Sequence, residues 1–398
     1  MMSTQVIDAV RTPRGKAKPD GGLAEVPPTD LVGAVLTGVL QRVDLDPSLV
    51  DEVVVGCASQ VDEQGGGVAR TAALAAGLPD SVPGISVNRY CSSGLDAVAV
   101  GAGLIASGQA EIVLAGGVES VSRVPMFSDR GPLWGDLDLM TRLGAVHMGI
   151  AADIAATESG FTREALDAYG ARTQRLAKEA WDRGDYDRSL VVPDGATIDR
   201  DEHVRPSVDL DELASLPPAF AELGAQGQDR IAIDRLDGLD RVEHLHTRGT
   251  SPSVADGAAM TLLASDAAVD RLGLAPRGRI VRSAAAACEP IRMLLAGQQA
   301  VEQILSKERL DPDDLDLVEF AEAFSALCLR FQQDLGVGDD RFNVNGGTIA
   351  MGHAFGATGA YLLTGLIDEL ERRDAQRGVA AVSGAAGSGA AVLVERPR

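Results

Sequence analysis

Two stretches of the sequence carry residues that can do chemistry together. The first is V-N-R-Y-C-S-S-G, residues 87–94, where an apolar strand (84–87) runs into a tight segment and then a small-residue helix, roughly 92–108. Cys91 falls at that helix's N-terminus, where unpaired N–H groups and the dipole favour a thiolate. Ser92, Ser93 and Gly94 leave room beside it for a substrate. The plain alternative is a buried cysteine serving as a small hydrophobe. The second stretch is G-G-T-I-A-M-G-H-A-F-G-A-T-G-A, residues 346–360, whose five glycines predict an irregular loop followed by a helix from about Ala357. His353 sits between Gly352 and Ala354, where little crowds its ring. It can take a thiol proton or donate to a developing oxyanion. A lone histidine there also reads as a capped loop residue.

The elements around these stretches recur. L-D-P-S-L-V-D-E-V at 45–53 and L-D-P-D-D-L-D-L-V at 310–318 each lead into an apolar strand, Val53–Val55 and Val318–Phe320. Ser93-Gly94 is echoed by Thr358-Gly359 at the same offset, and Val87-Asn88 by Val344-Asn345. Two similar α/β halves are implied, residues 1–120 and 250–398, with 250–270 able to pack with the first half. The region 121–249 differs, being rich in charge and in Gly/Pro turns, and reads as an inserted loop domain. It contains an amphipathic helix, 162–182, with Leu166, Tyr169, Leu176, Ala180 and Trp181 at helical spacing and Gly184 ending it. A pseudo-twofold relation between the halves brings Cys91 and His353 to one rim, as an activated thiol nucleophile requires.

Composition narrows the function. A chain of 398 residues with 45% hydrophobic and 24% charged residues fits a globular enzyme. Its net charge of −22 argues against nucleic acid as a partner, and any anionic ligand needs a local basic patch. The N-terminal segment lacks a signal peptide's apolar core, and no apolar run is long enough to span a membrane. Cys57, Cys91, Cys288 and Cys328 show no C-x-x-C spacing, which predicts free thiols in a reducing cytoplasm, with no disulfide framework or zinc site. His244 and His246 alternate beside Glu243 as on a strand entering the core, without a third metal ligand at a recognised spacing. Neither a nucleotide-phosphate loop nor a G-x-S-x-G elbow is present.

Taken in order, the N-x-x-C-x-S-G and G-H-x-x-G-A-x-G-A boxes, D-A-V-R-T-P-R-G (8–15) and A-G-G-V-E-S (115–120) resemble the thiolase family. The nearer likeness is to bacterial fatty-acid-oxidation thiolases, and it runs from Ile7 to about Glu395. The resemblance implies two five-stranded sheets in an α-β-α-β-α stack, with the loop domain over the active site. It implies a homodimer or homotetramer, a possible fatty-acid-oxidation partner subunit, and coenzyme A as a substrate moiety with no other cofactor. Cys91 would take the acyl group, and His353 would bind the thioester oxygen and activate the thiol. His147, Met148 and Gly149 resemble the segment lining the CoA and acyl pocket, with Ser251 and Phe324 beside it.

Four motifs depart from the family pattern. Ala321 stands where the family's N-E-A-F has Asn, whose amide the resemblance implies holds an oxyanion-hole water, and Ser383 where it has a second reactive Cys. Pro252 replaces a serine of the CoA-binding loop (249–259), and Ala354-Phe355 replaces Pro and an aliphatic residue. A serine hydroxyl is far less acidic than a thiol, and one lost acid/base group costs roughly 10²–10⁴-fold in rate. The expectation is an acyltransferase working through acyl-Cys91, by ketoacyl-CoA thiolysis or Claisen condensation, with Ser383 a weak proton shuttle and Glu322 orienting its neighbours. A non-thiolytic or decarboxylative acyltransferase, or a carrier-bound pantetheine donor, also fits these changes. A non-catalytic thiolase-like subunit is the third reading.

Overall fold

The computed structural model describes residues 3–397. Its strands are β1 (Thr4–Arg11), β2 (Gly15–Lys16), β3 (Glu52–Gly56), β4 (Gly84–Val87), β5 (Ile112–Glu119), β6 (Ala255–Ser265), β7 (Gly278–Ala287), β8 (Leu317–Phe320), β9 (Arg377–Ser383) and β10 (Ser388–Glu395). They run β4-β3-β5-β6-β1-β7-β10-β9-β8, with β2 on β6. In each half a parallel pairing (β3 with β4 and β5; β8 with β9) continues into antiparallel strands. The two sheets are not separate, because β1 and β7 pair over Thr4–Val6 and join them into one hydrogen-bonded run. Strand β6 lies between β5 and β1, so residues 255–265 belong to the first sheet.

Period-2 alternation builds the layers. Val6, Ala9, Val54, Val113 and Ala115 share one apolar cluster with Ala380, Val382, Ala390 and Val392 of the second half. Their neighbours Ile7, Val10, Val53, Val55, Ile112 and Leu114 face the opposite side, against Leu31, Val35 and Leu36 of the helix Pro28–Arg42. Strands β5 and β6 are buried along their whole length, which explains their near-continuous apolar text. The central layer is two helices, Ser93–Ala106 and Phe355–Arg372, each following one of the chemistry-bearing loops.

These two helices cross at close backbone range. A β-carbon on Gly94 would stand 2.8 Å from the Gly356 carbonyl oxygen and 2.9 Å from the Ala360 nitrogen; one on Gly359 would stand 2.7 Å from the Leu95 nitrogen. The space that Ser92, Ser93 and Gly94 were expected to leave for a substrate is therefore taken by the partner helix. Ser92 Oγ donates to the Val382 carbonyl at 3.2 Å, which further ties the halves.

Between β5 and β6 the chain forms helices and loops with no named strand among the described residues. The amphipathic segment is the helix Arg163–Arg183, capped by Thr162 Oγ1 on the Ala165 N–H and ended by Gly184 at φ 76°. The N-terminal D-A-V-R-T-P-R-G box pins this region to the core: Arg11 and Arg14 both reach Asp201, at 2.9 and 3.1 Å. Residues 241–247, expected as a strand through His244 and His246, are irregular. Their backbone and rings are spent on Asp153 instead of a sheet ladder.

Because the added methyl of Gly94→Ala meets backbone atoms rather than a flexible side chain, it should cost about 2 kcal/mol of stability. Urea denaturation would show this as a lower midpoint at unchanged slope, and an unchanged midpoint would refute the close crossing.

Candidate active site

The turn holding Cys91 is built by its own polar side chains. Asn88 Oδ1 accepts from the Tyr90 N–H at 2.8 Å, and its Nδ2 donates to the Ala58 carbonyl at 2.9 Å. Ser93 Oγ accepts from the Arg89 N–H and donates to the Tyr90 carbonyl, at 2.8 and 2.6 Å. Tyr90 is held at φ 51°, a left-handed conformation costing a non-glycine residue about 1–2 kcal/mol. Cys91 emerges directly after this strained residue.

The histidine loop is pinned from two sides. The His353 N–H donates to the Ser253 carbonyl at 2.8 Å, and the Ala255 N–H donates to the His353 carbonyl at 3.1 Å. Buried Glu322 accepts from Tyr169 Oη (2.9 Å), Thr173 Oγ1 (2.8 Å), Asn343 Nδ2 (3.2 Å) and the Ile349 N–H (3.1 Å). It thereby ties the helix Arg163–Arg183 to the chain just before His353. The ring is not uncrowded as the sequence suggests: it is 6% exposed, and Phe355 stands edge-on at 5.2 Å between centroids. His353 Nδ1 lies 2.7 Å from Thr358 Oγ1. A hydroxyl can donate or accept, so Thr358 can serve either tautomer and leaves Nε2 for the cavity.

Cys91, His353, Ser383, His147, Met148, Ser251 and Phe324 all line one cavity of about 160 Å³. Met126 and Phe220, not singled out from sequence, complete its apolar walls together with Phe355, one of the altered positions. Cys91 also borders a second space of about 40 Å³ with Tyr90, Phe127 and Asp129. His147 caps the helix Met148–Ser159, its Nδ1 accepting from the Gly149 N–H at 3.1 Å, and its ring lies 5.5 Å from that of Phe220. Ser251 Oγ donates to the Thr247 carbonyl at 2.9 Å, and Pro252 faces the cavity beside it.

Electrostatics correct one expectation. Burial, and then the carboxylate of Glu119, push the Cys91 thiol up to about 12, so the helix N-terminus does not hold a resting thiolate. Burial, with Arg14 nearby, lowers His353 to about 3. Thiol and imidazole are therefore both neutral at rest. Glu119 is a buried residue whose role the sequence did not reveal. It accepts from the Ala58, Ser59 and Gly356 N–H groups (2.9, 3.1 and 2.9 Å) and from Gln64 Nε2 (2.8 Å), joining the two halves beneath the site. A charged residue ending the wholly apolar strand I-V-L-A-G-G-V-E was the available signal.

Family models for the thiolase N-terminal domain and the thiolase C-terminal domain match residues 4–227 and 274–396. The chain belongs to the thiolase family. It is 37% identical to a beta-ketoadipyl-CoA thiolase of Pseudomonas knackmussii, over 98% of each chain, and 36% identical to an acetyl-CoA acetyltransferase of Cupriavidus necator over the full length of both. The crystal structure of the Bacillus anthracis acetyl-CoA acetyltransferase matches with a TM-score of 0.84 and 31% identity, covering 100% of this chain and 99% of that one.

Within this thiolase-family framework, the altered positions have defined surroundings. Ser383 Oγ donates to the Leu294 carbonyl at 2.6 Å and accepts from the Gly297 N–H at 3.0 Å, so its proton is already committed. Ala321 is buried in the same apolar cluster as Cys91, Val344 and Phe355, and offers no side-chain donor for an oxyanion-holding water.

A neutral thiol predicts the pH dependence of labelling. Cys91 alkylation by iodoacetamide, followed by peptide mass mapping, should climb steadily from about pH 7 past pH 9. A rate already at its plateau near pH 6 would instead reveal a thiolate–imidazolium pair.

Proposed function

We propose that this thiolase-family acyltransferase takes an acyl group from an acyl-CoA onto Cys91 and passes it to an acceptor that does not depend on a second cysteine. The observation that carries this reading is the shared cavity, in which a thiol at a strained turn and a neutral histidine meet apolar walls. As the thiol attacks the thioester carbonyl, His353 receives its proton; the C–S bond to CoA then breaks, and the leaving CoA thiolate takes that proton from His353 as free thiol. The neutral start avoids separating charge in a dry site before substrate arrives.

A basic cavity supports CoA as the donor. Lys16, Lys18, Arg205 and Arg248 line a space of about 410 Å³ that shares Ser251 with the acyl cavity. Its carboxylate, Glu202, is held by the Lys16 and Gly22 N–H groups at 2.8 and 3.0 Å. In a chain of net charge −22, this is the local basic patch an anionic donor needs. No other cofactor enters the reading. A homo-oligomer in the cytoplasm completes it, carried over from the likeness to the family. No helix among the described residues is long and apolar enough to cross a membrane.

The hydroxyl of Ser383 supports a changed second half-reaction. Its bond to Leu294 removes it from proton transfer, so thiolysis and Claisen condensation should run slowly, while acceptors carrying their own nucleophile are unaffected. A decarboxylative condensation fits the same observation, because it needs no base at this position.

Intact-protein mass spectrometry after incubation with acetyl-CoA tests the acylation step. The expected result is an acetyl-sized gain absent in Cys91→Ala; no gain with any acyl-CoA would sink the reading and favour a carrier-bound donor or a non-catalytic subunit. Ser383→Cys should raise acetoacetyl-CoA thiolysis by roughly 10²–10⁴-fold if the missing thiol is what limits it. An unchanged rate would place the limit elsewhere.

A further inference from the structure

Outside the thiol–imidazole pair lies a second buried polar cluster, built on Asp153, which is fully buried in the helix Met148–Ser159. Its Oδ1 accepts from the Leu245 and His246 N–H groups at 3.1 and 3.0 Å and meets His246 Nδ1 at 2.7 Å. Its Oδ2 meets His244 Nδ1 at 3.0 Å, and His244 Nε2 meets Asp229 Oδ2 at 3.0 Å. The other nitrogen of His246, Nε2, accepts from the Ala326 N–H at 3.4 Å, in the first turn of the helix Ser325–Leu335. With Nε2 as acceptor, the His246 proton sits on Nδ1, facing Asp153.

This relay ends on the wall of the acyl cavity. The His246 ring packs edge-on against Phe324, with centroids 5.3 Å apart, and Phe324 packs the same way on Phe220 at 5.8 Å. Both phenylalanines line the cavity. The far end is anchored too: Gln228, adjoining Asp229, accepts from the His147 N–H at 2.6 Å. Hydrogen bonds, the Gln228–Asp229 backbone and ring packing together link the loop-domain wall (His147, Phe220) to the core wall (Phe324). Both Asp153 oxygens and both His246 nitrogens are paired, although Asp229 Oδ1 at the far end is buried without a partner, and a satisfied buried group is held in one geometry.

We propose that His246, fixed by Asp153, is a positioning residue that sets the place of Phe324 and so the acyl selectivity of the Cys91 cavity. The proposal rests on the acyl-CoA reading for its substrate but not for its geometry. His246 touches no reacting atom; it acts through Phe324 and the Ala326 amide.

The test compares His246→Leu, which keeps bulk and loses both hydrogen bonds, with His246→Gln, whose amide can donate to Asp153 and accept from Ala326. Cys91 acylation is followed against donor concentration for acetyl-, butyryl- and octanoyl-CoA. His246→Leu should raise the half-saturating donor concentration about tenfold and change the ranking of the three donors, with the maximal rate within about threefold of wild type. His246→Gln should keep the wild-type ranking. Equal behaviour of the two variants, or an unchanged ranking in His246→Leu, would overturn the proposal. Should no acyl-CoA acylate even the wild type, Cys91 alkylation by N-ethyl- and N-octylmaleimide reads the same wall without CoA. The ratio of the two rates should shift in His246→Leu but not in His246→Gln, and a ratio common to all three proteins refutes the assignment.

Discussion

The structure depends on how closely two central helices approach. Gly94 and Gly356 stand so near, and Gly359 so near Leu95, that a single β-carbon would drive the backbones apart. Each helix starts just after a loop that presents one reactive side chain, so the crossing distance sets how far the thiol lies from the imidazole. Fold and chemistry are therefore constrained by the same contact. The abundance of small residues in the Ser93–Ala106 helix follows from it, since a helix packed on sheets on two faces and on a second helix has little room for bulk.

Two buried carboxylates turn this packing into a rigid site. Glu119 gathers N–H groups from the 58–59 loop and from Gly356, and Glu322 gathers donors from the loop-domain helix and from Ile349. Burial pushes both carboxyls' pKa values up, while their hydrogen bonds work in the opposite direction. Each therefore crosslinks segments far apart in sequence at the cost of desolvating a polar group. Loop residues such as Asn88 and Ser93 then need only shape the local turn, because the segments flanking them are already fixed.

Much of this was legible in the sequence. Short apolar runs marked strands in both halves, text echoed at an offset of 265 residues pointed to two similar halves, and the glycine-rich H-A-F-G-A-T-G-A loop marked its histidine. Cys91, His353, Ser383, His147, Met148, Ser251 and Phe324 line one cavity, whereas Glu322, Gly149 and Ala321 are not among its lining residues. What stayed hidden depended on three-dimensional surroundings. Cys91 reads as a thiolate from its place at a helix start, yet at 8% exposure desolvation outweighs the dipole. His244 and His246 read as a strand by their alternation, but a carboxylate about ninety residues earlier claims their backbone and rings. Val344-Asn345 echoes Val87-Asn88 in text, yet only the earlier pair adjoins a named strand. A pairwise motif cannot show which distant acid or apolar surface will surround it.

The altered positions divide the site into a retained half and a changed half. Everything that holds Cys91 and His353 is present: the Asn88 turn, the backbone bridge from His353 to the 253–255 loop, and the Thr358 partner. The changes lie where a second proton-transfer group and a water-holding amide would stand, and they form a consistent set. With the Ser383 proton committed to Leu294, and Ala321 buried in the apolar cluster that includes Cys91, neither position offers a side-chain base or amide. In the proposed reading, the loss of polar groups at these two positions would shield an acyl-thioester from hydrolysis, since a water beside them would find fewer partners to order it for attack. Under the proposed acyl-Cys91 chemistry, the replacements that would slow thiolysis would also protect the acyl group until an acceptor supplies its own nucleophile.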